Sequence, residues 1–201
     1  MIAARLKICA DRINKKYSNY TLLDVGCRTK DLHPLLLGCK KYYGADIIPG
    51  DDVFECNLEK KLPFDSNSFD IIAALDVLEH LENPHGAIKE LIRISRKAVI
   101  ISLPNMYYIE FRLRFLRGKG ISGKYNFPEI PLLDRHKWIL SYSEALSFVK
   151  ANTVGHSVSH QMILPIRSRT KLISEPLERY LADKWPNLFA YGTLFEITLN
   201  K

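Results

Sequence analysis

Two aspartates, a glycine and a short acid–imidazole run carry the chemistry that residue spacing makes available in this chain. Asp24 and Gly26 close an apolar run, and a glycine at such a bend lets backbone approach a ligand closely. Asp46 follows Gly26 by about 20 residues, the separation at which a carboxylate can take both hydroxyls of a ribose. Asp76, Glu79 and His80 stand at i, i+3 and i+4, on one face of a helical turn. His80, and His136 within Asp134-Arg135-His136-Lys137-Trp138, are imidazoles able to take a proton from a substrate hydroxyl. Each has a plainer reading. A strand-end aspartate commonly caps a turn, His80 can simply shape a helix start, and His136 can be a loop residue fixed by Asp134.

Positioning these groups falls to an alternation of helical and extended segments. Residues 2–17 read as an amphipathic opening helix with Ile2, Leu6, Cys9, Ile13 and Tyr17 on one side. Residues 21–25 read as a buried strand stopped by Gly26. Residues 29–37 read as a helix, with Thr29 as N-cap, Pro34 near the first turn and Gly38 past the end. Strands are expected at 42–47, 52–56, 69–75 and 98–103, with a helix at 84–95. Apolar strands separated by helices make a parallel sheet covered on both faces. Beyond it come a helix at 141–151, a strand at 157–164, a charged helical excursion at 167–184 and a last strand at 188–199. One domain over 1–201, with a lid-like acceptor insertion at about 105–138, is the economical organisation. In open sheets of this kind, ligands bind beyond the carboxyl ends of the strands, where strand order reverses.

Composition narrows the class. Apolar residues at 47% and charged residues at 25% exclude a disordered chain, and a net charge of +7 favours anionic partners without choosing among them. Cys9, Cys27, Cys39 and Cys56 form no C-x-x-C pair, so they read as reduced thiols of a cytoplasmic protein. No apolar run approaches the roughly 20 residues of a membrane helix.

Five stretches taken together resemble the class I S-adenosylmethionine-dependent methyltransferases, particularly the group typified by quinone-biosynthesis enzymes. They are Leu-Asp-Val-Gly-Cys, Gly-Ala-Asp-Ile, Leu-Pro-Phe-Asp-Ser-Asn-Ser-Phe-Asp, Asp-Val-Leu-Glu-His-Leu and Ser-Leu-Pro-Asn, in order between residues 22 and 105. The resemblance implies a Rossmann-like, doubly wound α/β fold. Its sheet would have seven mostly parallel strands, the last antiparallel, with helices on both faces. It implies S-adenosyl-L-methionine as cosubstrate. Gly26 and the backbone at Cys27 would lie against the methionine moiety, and Asp24 would orient its amino group. Asp46, with Ile47 beside it, would take the ribose; Asn57 and Leu58 would meet the adenine edge; Leu75 and Asp76 would close over the methionine side.

Departures from the family pattern set further expectations. Relatives continue the first motif with two more glycines, where this chain has Arg28 and Lys30. Arg28 is expected to need a negative φ and a side chain that leaves the site or pairs with the ligand's carboxylate. Lys30 is expected to begin the next helix. Asn57 stands where an aspartate is common. The Asp76, Glu79, His80 spacing resembles the divalent-metal site of ubiquinone-pathway O-methyltransferases and small-RNA 2′-O-methyltransferases. Many relatives carry Leu-Glu-His without metal, so no metal is expected, and these three residues are the candidates should one bind.

Methyl transfer from a sulfonium is an in-line displacement, so the protein mainly aligns the acceptor. The expected function is O-methylation of a small molecule, glycan or lipid-linked metabolite. The alternative is a catalytically silent cofactor-binding subunit acting as a regulatory partner. A nicotinamide dehydrogenase would need a G-x-G-x-x-G run that Gly26–Asp31 lacks. Aromatic and basic residues between 107 and 124 suit an anionic acceptor or peripheral membrane contact, or else a helix packed with a solvated basic side. A nucleic-acid stripe is not compelling, because Glu175 and Glu178 follow Arg167, Arg169 and Lys171.

Overall fold

Phe-Asp-Ile-Ile-Ala-Ala-Leu is apolar at six of seven positions, and as strand β4 (Phe69–Leu75) it is buried along its whole length. A strand with no solvent face must be covered on both sides and paired on both edges. It lies between β1 (Tyr20–Val25) and β5 (Ser95–Pro104), parallel to each. With β2 (Cys39–Asp46), β3 (Val53–Glu55), β6 (Ser157–Ile163) and β7 (Gly192–Thr198) the order is β3-β2-β1-β4-β5-β7-β6. Strand β7 runs antiparallel to β5 and β6 on either side of it. The expected Rossmann-like seven-stranded sheet is thus present. The computed structural model describes residues 2–125, 127, 129–130, 134–165 and 175–201.

Helices cover both faces. Helix α1 (Ala4–Lys16) buries Cys9, Ala10 and Ile13 against Ile71, Ala73, Ile100 and Leu194. On the other face α2 (Pro84–Ile94) and α4 (Tyr142–Asn152) bring Ile88, Leu91, Ala145 and Val149 against Ile72, Val99 and Phe195. Each fully buried large aliphatic side chain contributes roughly 1.5–3 kcal/mol. Local signals set the helix starts: the Asn83 side chain accepts from the Gly86 amide, and Ser141 with Glu144 forms a reciprocal cap. Glu196, buried on the α1 face, is neutralised by Lys16 at 2.7 Å and Arg12 at 3.3 Å, and accepts from the Tyr17 hydroxyl at 2.7 Å.

Two expectations about elements change. Residues 29–37 are not an α-helix; they form turns and a single 3₁₀ turn at His33–Leu35. Lys30 lies at φ +58°, outside the helical region, and Pro34 restricts the residue before it, so no α-helix can run through. The last strand starts at Gly192, after helices α5 (Glu175–Lys184) and α6 (Pro186–Phe189). The insertion carries its own helix, α3 (Ile109–Leu116). The start of the 167–184 excursion, with Arg167, Arg169 and Lys171, lies outside the described residues. Among the described residues no helix is long and apolar enough to cross a membrane.

Candidate active site

Strand order reverses between β1 and β4, and the crest above their carboxyl ends gathers most of the residues singled out from sequence. Gly26 sits at φ +74°, with its amide donating to the Ala45 carbonyl at 2.7 Å. A Cβ at that position would stand 2.5 Å from Cγ2 of Val77, so both conformation and space demand glycine. Cys27, Leu58 and Leu75 are buried around the bend, while Ile47 is exposed beside the crest. Asp46 is buried, and its carboxylate accepts from the amides of Arg28 at 3.0 Å and Ile48 at 3.1 Å. Asn57 Oδ1 already accepts from the Glu59 amide at 2.9 Å, which makes Asn57 a turn residue as well.

Arg28 and Lys30 correct two expectations. Arg28 has φ +46° and Lys30 φ +58°, so the chain keeps the left-handed backbone that glycines usually supply, without the glycines. Neither a negative φ nor a helix start is realised. The strain is on the order of 1–2 kcal/mol per residue. It is offset by anchors: the Arg28 amide to Asp46, the Arg28 guanidinium to Asp134 at 2.8 Å, and the Lys30 ammonium to the Asp51 carbonyl at 2.7 Å. The Arg28 side chain is 67% exposed and leaves the crest rather than filling it.

Asp24 is buried and accepts from the Tyr42 hydroxyl at 2.6 Å. Burial pushes its carboxyl up to about 7, against the lowering effect of the Tyr42 hydrogen bond. Arg5 of α1 is a cation that acts on it; its charge favours the ionised forms of both Asp24 and Glu79, and its Nε lies 3.1 Å from Asp76 Oδ2. Sequence reading missed Arg5, which looked like one more polar position on an amphipathic helix. Asp76 sits at φ +56° and accepts from the Ser102 hydroxyl at 2.5 Å. It is therefore engaged with Arg5 and Ser102 and does not join Glu79 and His80 as their spacing implied.

The third partner comes from the insertion instead. Segment 134–138 runs along the Leu78–His80 turn, tied by the Lys137 amide to the Glu79 carbonyl at 2.9 Å and by Trp138 Nε1 to the Leu81 carbonyl at 2.7 Å. That seats His136 edge-on to His80, with ring centroids 4.6 Å apart and its Nε2 3.8 Å from Glu79 Oε1. Ligand atoms of Glu79, His80 and His136 all lie within 4.8 Å of one another. Among the described residues, both Glu79 oxygens and His136 Nδ1 are buried without a hydrogen-bond partner. Orphaned groups of this kind are costly unless something else satisfies them. Burial raises the Glu79 carboxyl well above its ordinary range, with Asp76 adding to the effect. It lowers His136 to about 4 and His80 below its ordinary value. His80 Nδ1 lies 2.8 Å from the Arg135 carbonyl, which fixes the proton there and leaves Nε2 with its lone pair. Asp134 pairs with Lys124 and Arg28, not with His136.

Comparison with known proteins agrees with the fold. Residues 23–103 match the family model described as a methyltransferase domain, from within β1 nearly to the end of β5. The small RNA methyltransferase HEN1 superposes with a TM-score of 0.68 at 17% identity over all of this chain, which spans 26% of HEN1. A S-adenosylmethionine-dependent methyltransferase from Archaeoglobus fulgidus gives 0.62 at 16% identity, covering 98% of this chain and 95% of its own. The magnesium protoporphyrin IX methyltransferase of Synechocystis, solved with bound S-adenosylhomocysteine, gives 0.60 at 17%, covering 96% and 81%. No protein of curated function matches the chain in sequence.

Proposed function

We propose that this chain, a class I S-adenosylmethionine-dependent methyltransferase by fold and by its matched domain, methylates a hydroxyl held beside a divalent cation at Glu79, His80 and His136. The observation that carries the reading is the buried Glu79 carboxylate, without a hydrogen-bond partner among the described residues, facing two lowered-pKa imidazoles. Carboxylate with neutral imidazole is a donor set for a borderline divalent ion. A cation there would lower the pKa of a hydroxyl it touches. His80 and His136 then serve as ligands, in place of the general bases expected from sequence. The acceptor belongs to the small molecules, glycans or lipid-linked metabolites.

Bound S-adenosylmethionine supplies a methyl group already activated on sulfur. Gly26 gives the close backbone approach, buried Asp24 faces the cofactor's ammonium, and Arg5 is the cation available to its carboxylate. Asp46 takes the ribose hydroxyls, with Ile47 and Leu58 as apolar walls for the base and Asn57 at its edge. As the acceptor oxygen bonds to the methyl carbon, the carbon–sulfur bond breaks, giving a methyl ether, S-adenosylhomocysteine and a proton released to water. The residues hold the two reactants in line.

Titration of the full chain with Mn²⁺, followed by calorimetry, tests the cation. One saturable site is expected, lost in Glu79→Gln and His136→Ala, with S-adenosylhomocysteine binding retained in both variants. No saturable binding of Mn²⁺, Mg²⁺ or Zn²⁺ to the wild type refutes it. Bound cofactor without homocysteine product from any hydroxyl acceptor would return the silent-subunit reading.

A further inference from the structure

The insertion spends its apolar residues on the outside. Seventeen large apolar side chains are exposed among the described residues, and eight of them fall between 107 and 139, about a sixth of the chain. Phe115 is 66% and Leu116 79% exposed at the end of α3. They form one lip of a groove of about 430 Å³, floored by Met106 and Phe111 and bounded by Ile121 and Ile139. Such a surface has a cost in water and marks a contact site when it is contiguous.

The flank is cationic. Arg112, Arg114, Arg117 and Lys119 are all exposed, against the single acid Glu110 on the same helix. None of the four pairs with a carboxylate among the described residues; Arg112 and Arg114 reach the backbone carbonyls of Tyr107 and Gly120, and Arg112 also lies over the Tyr107 ring at 5.3 Å. Apolar tips beside unpaired cations complement a surface that is hydrocarbon below and anionic above. Nucleic acid fits less well, because Met106, Leu116, Ile121 and Ile139 make half of the groove's lining aliphatic, where a base finds neither a stacking face nor a hydrogen bond.

We propose that α3 and the groove beside it dock on an anionic lipid bilayer, with Phe115 and Leu116 entering the interface and Arg112, Arg114, Arg117 and Lys119 meeting the headgroups. The same apolar cluster packs Ile121 and Tyr125 against Met106 and Phe111, and Tyr125 lies edge-on to His136 at 5.3 Å. The docked face therefore shares a wall with the candidate active site. The proposal does not depend on the cation or on the identity of the acceptor.

Flotation of the full chain with vesicles at 0.15 M NaCl tests it. Co-flotation is expected with phosphatidylcholine containing 30% phosphatidylglycerol and not with phosphatidylcholine alone, weakening in 0.5 M NaCl. Each cation removed should lower partitioning roughly fivefold, so R114E/R117E should lower it at least about 25-fold. F115S/L116S should also reduce it, while both double variants keep the wild-type melting temperature and S-adenosylhomocysteine affinity. Equal binding to both vesicles, no effect of R114E/R117E, a dimer in light scattering that F115S/L116S dissociates, or capture of a single-stranded oligoribonucleotide without vesicle binding would each overturn it.

Discussion

Cofactor affinity should titrate with Asp24. Its carboxyl is buried at the end of β1, and burial holds it at about 7 where 3.8 is ordinary. Near neutral pH about half the free protein then carries a protonated Asp24, which cannot face an ammonium as an ion. If the ionised form is the binding form, affinity drops tenfold for each pH unit below 7. S-adenosylhomocysteine should thus bind roughly 30-fold more weakly at pH 5.5 than at pH 8. Calorimetry across that range reads the effect directly. Asp24→Asn should give a flat, weak profile, and 5′-methylthioadenosine, which lacks the amino-acid tail, should bind independently of pH in this range.

Stability carries the opposite sign. A carboxyl raised by folding favours the folded state at low pH, and that contribution is lost as pH climbs from 3.8 toward 7. The penalty on the ionised form is on the order of 4 kcal/mol. Asp24→Asn should therefore melt higher than the wild type at pH 8 without cofactor, and similarly at pH 4. An S-adenosylhomocysteine affinity that is constant from pH 5.5 to 8 would refute the reasoning, since no ammonium could then be facing this acid.

Two further perturbations test the bend above β1. Gly26→Ala should cost about 2 kcal/mol or more, because the φ of +74° and the 2.5 Å approach to Val77 cannot both be accommodated, and denaturant unfolding measures it. S-adenosylhomocysteine binding by that variant should fall beyond detection; retained binding would mean the ligand lies elsewhere. Arg28→Gly should change stability by less than about 1 kcal/mol, since relief of the left-handed strain offsets greater chain entropy and loss of an exposed ion pair with Asp134. Arg28→Val, at the same φ of +46° with a branched Cβ, should destabilise by roughly 1–3 kcal/mol.

The fold was legible because its strongest signals are local. Continuous apolar runs such as 71–75 and 98–101 have no soluble alternative to a covered sheet, and Asn83 and Ser141 mark helix starts through bonds within four residues. The segment 29–37 misled for a related reason: its cap and proline have the look of a helix start, but the left-handed Arg28 and Lys30 are held by anchors to Asp46 and Asp51 respectively, far along the chain. No local propensity reports a strain that distant contacts hold in place.

The sequence by itself determined the sheet and the acids and glycine on its crest, because those positions follow from strand ends and strand ends follow from hydrophobic pattern. Only the tertiary structure decided which side chains meet. It drew Asp76 away to Arg5 and Ser102 and brought His136 from 56 residues beyond His80 to stand beside Glu79. Partnering of that kind depends on how a loop is tied to a turn by a few backbone hydrogen bonds. The spacing of residues constrains reach along one element, and it is silent about approach between two.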